Sequence, residues 1–279
     1  MLSRLEAPQS EALQRVAARG RLGVRLAHGR SRVATLGQEG AANIRMPKTV
    51  SGPLEAVLIN TAGGLTGGDR LAWEIDVGEA AAATVTTQAS EKVYRASSGV
   101  AEVECRLTVG SAARLAWLPQ ETIVFDRSAF SRRLEVNLAK DAEALIVEAT
   151  VFGRLSMGER TKTALFRDRW RIRQSGKLIH AENFAIGPNV GATLARSAGM
   201  GGCHAMATVL LVCRDAGDRL GEVRVILGDA GAASAWTVGG SGKLLARLVA
   251  EDSYSLRRTL VPLIELLNGR AGLPKVWSL

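Results

Sequence analysis

The stretch Leu71-Ala-Trp-Glu-Ile-Asp-Val-Gly-Glu-Ala-Ala-Ala-Ala-Thr-Val-Thr-Thr-Gln-Ala89 decides the fold, because its pattern returns twice more. The second copy is Val103-Glu-Cys-Arg-Leu-Thr-Val-Gly-Ser-Ala-Ala-Arg-Leu-Ala-Trp-Leu-Pro-Gln-Glu121, and the third runs Leu134-Glu-Val-Asn-Leu-Ala-Lys-Asp-Ala-Glu-Ala-Leu-Ile-Val-Glu-Ala-Thr-Val151. Each reads as an alternating strand, a tight turn and a second strand. Apolar residues at every other position place one face of each strand inward. Gly78, Gly110 and Lys140 stand at matching turn positions, spaced 32 and then 30 residues apart. A repeat of that length is one supersecondary unit that buries its apolar face only by stacking on the next. The expectation is an all-β-dominated, β-helical or solenoid-like stack of short strands.

Outward from the repeats, period-two alternation punctuated by glycine continues from Arg21 to about Leu227. Residues 228–243, rich in Gly, Ala and Ser, read as a loop with a short strand. A C-terminal helix is expected from Asp252 to Asn268. Asp252 or Ser253 caps it, Leu256, Leu260, Ile264 and Leu267 share a face, and Gly269 stops it. Pro262 within it should bend or divide it. Ser10 to Gly20 reads as a short helix in an N-terminal extension, residues 1–20, ahead of a single domain at 21–279.

The chain has 279 residues, 47% of them hydrophobic and 23% charged, which excludes a disordered composition. No run of 18 apolar residues exists to cross a membrane, and no apolar signal core opens the chain, so the cytosol is the expected compartment. Three cysteines without a CxxC pair and three scattered histidines leave no conventional metal cage. The formal charge of +9 comes from 36 basic residues, 29 of them arginine and 7 lysine, against 27 acidic ones, suited to an acidic partner.

Four features invite chemistry. The glycine-rich Asn60-Thr-Ala-Gly-Gly-Leu-Thr-Gly-Gly-Asp69 lacks both phosphate-loop spacings and is followed by a strand, not a helix. A tight backbone crossing is the better reading. Glu121 and Asp126, with Glu159, supply carboxylates for acid–base work or transient hold of a divalent ion, but no nucleophile motif accompanies them. Arg167, Arg169, Arg171 and Arg173 alternate with Phe166, Asp168, Trp170 and Ile172 and share one face. That face suits an acidic protein, or nucleic acid as the alternative reading, though the aromatics lie opposite. Cys203-His204 sits where two neighbours in a strand point apart and do not chelate one ion.

Several blocks together resemble the UreD family of urease accessory proteins, called UreH in some organisms. They are Pro53 to Leu71, Thr86-Thr-Gln-Ala-Ser-Glu-Lys-Val-Tyr-Arg95, Trp117-Leu-Pro-Gln-Glu-Thr-Ile-Val-Phe-Asp126, Gly153-Arg-x-x-x-Gly-Glu159 and Arg167-Asp-Arg-Trp170. Asp252-Ser-Tyr-Ser-Leu-Arg-Arg258 and Leu273-Pro-Lys-Val-Trp277 complete the set, in order over residues 20–279. The resemblance implies a non-enzymatic maturation chaperone for nickel insertion. It would bind apo-urease and a UreF-type protein, and through the latter a UreG-type GTPase. Ni²⁺ would be in transit through an internal channel, with no cofactor tightly bound. On that resemblance Asp69, Glu121, Asp126 and Glu159 are the expected channel lining. Cys203-His204 departs from the family pattern and receives no role.

Overall fold

The computed structural model describes residues 15–48, 52–154 and 157–277. The three repeats form successive coils of a parallel stack. The first comprises β5 (Arg70–Val77), β6 (Ala82–Thr87) and β7 (Glu91–Val93); the second β8 (Ala101–Val109), β9 (Arg114–Leu118) and β10 (Thr122–Val124); the third β11 (Ser128–Leu138) and β12 (Glu143–Phe152). Before them run β1 (Ala17–Ala27), β2 (Arg30–Glu39), β3 (Ala42–Arg45) and β4 (Leu54–Asn60); after them β13 (Ala164–Gln174) and β14 (Lys177–Ile186). One sheet is ordered β14-β13-β11-β8-β5-β1-β2. Its five inner strands are parallel and a hairpin strand closes each end. The opposite sheet stacks β4, β6, β9 and β12 in parallel, and β7 and β10 form a short third side with the end of β12.

Inward ladders explain the register. Gly20, Trp73, Cys105, Leu134 and Trp170 stand in line across five strands, and so do Leu22, Ile75, Leu107, Val136 and Ile172. A one-residue slip would turn each apolar set outward, so register is strongly specified. Turns stack likewise: Gly78, Gly110 and Ala139 donate their N–H groups to Val24, Val77 and Val109 of the preceding coil, at 2.8–2.9 Å. The third turn position is therefore Ala139, not Lys140, because Leu138 pairs with Val109 and sets the count. A Cβ on Gly110 would lie 2.9 Å from Glu79 N, so the second turn needs glycine.

β12 is buried on both faces apart from Glu143 at its start, which accounts for its near-continuous apolar run. Its inner face meets the first sheet. Its outer face joins a second core with β15 (Ala205–Val212), β16 (Gly231–Val238) and β17 (Ser241–Ala250), under helices α2 (Leu220–Leu227) and α3 (Ser253–Asn268). A single-turn helix, α1 (Val190–Leu194), precedes them. The loop expected over 228–243 is thus largely strand, since Gly231–Val238 pair along β17 and Ala233 is buried in the second core. In α3 the Asp252 carboxylate accepts the Ser255 N–H at 2.8 Å, and Gly269 ends the helix with φ 58°. Pro262 does not divide it: buried Leu260, Leu263 and Ile264 anchor the turns on both sides. The N-terminal helix is corrected too. Ala17–Gly20 are strand, paired with β5, and Gly20 makes room for Trp73, whose ring atoms would stand 2.2 Å from a Cβ there. The start of that helix lies outside the described residues.

Candidate functional site

Three inward positions carry charge where the alternation calls for an apolar side chain. Arg132 follows Phe130 on β11, Asp168 follows Phe166 on β13, and Glu148 interrupts the run of β12. Parallel pairing sets Arg132 opposite Asp168. Arg132 Nε and Nη2 donate to the two Asp168 oxygens at 3.1 and 2.6 Å, and Nη1 donates to Thr122 Oγ1 at 3.2 Å and pairs with Glu148 Oε2. Trp117 Nε1 donates to Glu148 Oε1 at 2.9 Å. All three charged side chains are buried. Burial pushes the Glu148 carboxyl up to about 7 even against Arg132, while the two carboxylates outweigh desolvation and hold the Arg132 guanidinium charged. Cys105 faces the same space, its thiol pushed up by burial and by Glu148.

Small cavities extend to either side. A central one of about 40 Å³ is lined by Cys105, Trp117, Thr122, Arg132, Glu148 and Glu91. Glu91, Trp73 and Thr87 also line an outer recess of about 180 Å³ beside the glycine-rich loop. On the other side Glu148 lines a pocket of about 20 Å³ with Asp168, Glu182 and Thr208. Glu91 accepts from Asn60 Nδ2 at 3.1 and 3.3 Å, and burial pushes it to about 7. Glu182 is desolvated, yet His180 and Arg247 outweigh that and lower it. Beyond it, buried Lys243 donates to Ile179 O at 2.6 Å and joins β17 to β14. Four carboxylates thus succeed one another from the outer recess through the interior: Glu91, Glu148, Asp168 and Glu182.

The expected site residues occupy other positions. Asp69 is buried and accepts the Val16 and Thr66 N–H groups at 2.8 and 2.7 Å, closing the glycine-rich loop. Glu121 is buried and accepts from Arg257 at 2.6 and 2.8 Å and from Ser90 at 3.2 Å. Burial raises its carboxyl, but Arg257 prevails and holds it below the usual range. Arg257 also lies over the ring of Trp277, whose Nε1 donates to Thr86 Oγ1 at 3.0 Å, so this group clamps α3 and the C-terminal segment to the coils. Asp126 accepts the Lys162 and Thr163 N–H groups at 2.8 Å, which outweigh desolvation and lower it. Its own N–H donates to Glu159, which pairs with Arg154 at 2.7 Å. Asp126 and Glu159 come together; Asp69 and Glu121 belong to separate hydrogen-bond sets.

The glycine-rich segment is a close crossing: a Cβ on Gly67 would lie 2.2 Å from Ser98 O, and β5 follows. Arg167 and Arg169 are exposed on the outer face of β13, while Arg171 donates to Trp170 O and Glu182 O. Cys203 and His204 lie in the turn before β15, not within a strand. The His204 backbone pairs with Phe152 and Ala250, its ring meets Arg160 at 3.1 Å, and burial followed by Arg160 lowers its pKa. A recess of about 490 Å³ lies at the end of α3, where Arg114 and Arg219 cap the carbonyls of Leu266, Leu267 and Asn268. Among the described residues no group of three or more His, Cys, Asp or Glu side chains is arranged to hold a metal ion. None of their helices is long and apolar enough to cross a membrane.

A helix-clamped stack of parallel strands with an ion-paired cluster in its apolar interior defines a β-solenoid scaffold. The family model described as UreD urease accessory protein matches residues 16–278, and the chain belongs to that family. It is 62% identical over 266 residues to a urease accessory protein UreD of Mesorhizobium japonicum, with 95% of each chain covered. It is 58% identical over 268 residues, 96% of each chain, to urease accessory protein UreD 1 of Brucella melitensis. A UreD 1 of Brucella anthropi is 54% identical over 270 residues, 95% of each. Urease accessory function therefore follows from family membership.

Proposed function

We propose that this chain is a cytosolic, non-catalytic scaffold for urease maturation, with residues 21–279 acting as one unit. It holds apo-urease and a UreF-type protein, which brings a UreG-type GTPase. Ni²⁺, the cargo, passes through the interior along Glu91, Glu148, Asp168 and Glu182. The observation that carries this reading is the succession of these carboxylates along three cavities that share lining residues, Glu91 between the outer two and Glu148 between the inner two. Oxygen donors spaced singly suit an ion that must leave again, whereas a closed cage would retain it. Asp69, Glu121, Asp126 and Glu159 shape the walls, and Glu121 reaches the outer recess through Ser90.

Glu91→Gln and Glu182→Gln test the route. Both variants are expected to co-purify with apo-urease and the UreF-type partner while nickel per urease active site falls several-fold, read by elemental analysis. Wild-type nickel content in both would refute the route, and failure of the wild-type chain to associate with these partners would refute the scaffold.

A further inference from the structure

Arg132 pairs with Glu148, the one residue that lines both the central and the inner cavity. Glu148 lines both cavities, Arg132 lines the central one and Asp168 the inner one. The guanidinium spans the gap between the two carboxylates, with Thr122 Oγ1 as its third contact. Apart from that contact with Arg132, Glu148 Oε2 has no hydrogen-bond partner, although the side chain is buried. The space therefore already holds a cation, but one tethered to the chain and carrying a single positive charge against two carboxylates.

We propose that Arg132 is an exchangeable internal cation that keeps a divalent-metal seat closed. The seat is made by the Glu148 and Asp168 carboxylates, with Thr122 Oγ1 and the Cys105 sulfur at its edge. An incoming divalent ion takes the place of the guanidinium between the two carboxylates, and Arg132 swings into the central cavity. When the ion moves on, Arg132 returns to its place between the two carboxylates. A divalent ion matches the charge of two carboxylates where a guanidinium matches one, and Glu91, which lines the central cavity, is the counter-ion for the displaced arginine. The tethered competitor also keeps residence weak. This assignment rests on the internal route proposed above and adds its control point.

The experiment measures binding of nickel(II) alone to the purified full-length chain by equilibrium dialysis. Wild type competes against its own arginine and binds weakly. Arg132→Gln opens the seat and should bind one nickel per chain at least about tenfold more tightly. Arg132→Lys retains a charge but loses the two-pronged grip on Asp168. It should fall between the two, and it decides the matter if Arg132→Gln does not fold. Combining either change with Glu148→Gln and Asp168→Asn should return binding to the wild-type level or below. Folded Arg132 variants that bind no more nickel than wild type overturn the exchange, as does enhanced binding that survives loss of both carboxylates. The route fails separately, if Glu91→Gln and Glu182→Gln load urease normally, whatever Arg132→Gln binds.

Discussion

Two arginine–carboxylate clusters lie on opposite faces of the same sheet. On the outside Glu74 meets Arg19, Arg21 and Arg106 across three neighbouring strands; on the inside Arg132 meets Glu148 and Asp168. Parallel stacking makes neighbours of residues one coil apart, Glu74 with its arginines and Arg132 with Asp168, while Glu148 reaches Arg132 from the facing sheet. Their surroundings differ. The Arg106 and Glu74 side chains are 51% and 21% exposed, those of Arg132 and Glu148 5% and 3%. Outside, water and salt screen the pairs and each contributes little. Inside, desolvation and attraction are both large, so the cluster is costly to break and is no strong source of net stability. The same residue types therefore decorate one face and constrain the other.

The largest effect should come from breaking the inner cluster. Arg132→Leu is expected to cost about 3–5 kcal/mol in urea denaturation, because two buried carboxylates lose their cation. The triple change Arg132→Leu, Glu148→Leu and Asp168→Leu should recover most of that loss, since apolar side chains remove the desolvation penalty with the charges. A single variant as stable as wild type would erase the contrast between the faces.

Glu91 sharpens the comparison, since among the described residues no cation pairs with it. Its carboxyl rises from 4.5 to about 7 through burial. The native state therefore keeps a proton across that window while the unfolded chain releases it. Stability from this group is present below about pH 4.5 and is lost as pH rises towards 7. Glu91→Gln does not titrate, so its stability relative to wild type should rise by roughly 2 kcal/mol between about pH 5 and about pH 7. A pH-independent difference would remove Glu91 from the set of buried acids. The smallest effect belongs to the outer face: Glu74→Gln should lower the melting temperature slightly at low salt and not at all at high salt.

The fold was legible because its determinants are local. Alternating Val, Leu and Ile, turn glycines and the capping Asp252 act over a few residues, and repetition amplified them. Misreadings fell where tertiary pairing overrides local composition: Gly20 makes room for a tryptophan, and the 231–238 stretch becomes strand only on β17. The interior cluster left a trace in the alternation, namely charge at inward positions, as in Phe166-x-Asp168-x-Trp170-x-Ile172. Inward parity along β11 and β13 marks Arg132 and Asp168, whereas Asp126 and Glu159 lie between strands, where parity carries no signal.

By itself the sequence determined that strands would stack in coils of about thirty residues, that a capped helix would close the chain, and which family the chain belongs to. Only the tertiary structure decided that Arg132, Glu148 and Asp168 share one buried space, and that Glu121 binds Arg257 across 136 residues of chain. The physical reason is range: periodicity and turn preference are written in neighbouring residues, whereas the meeting of charges one coil or half a chain apart depends on register, and register is set by the whole core at once.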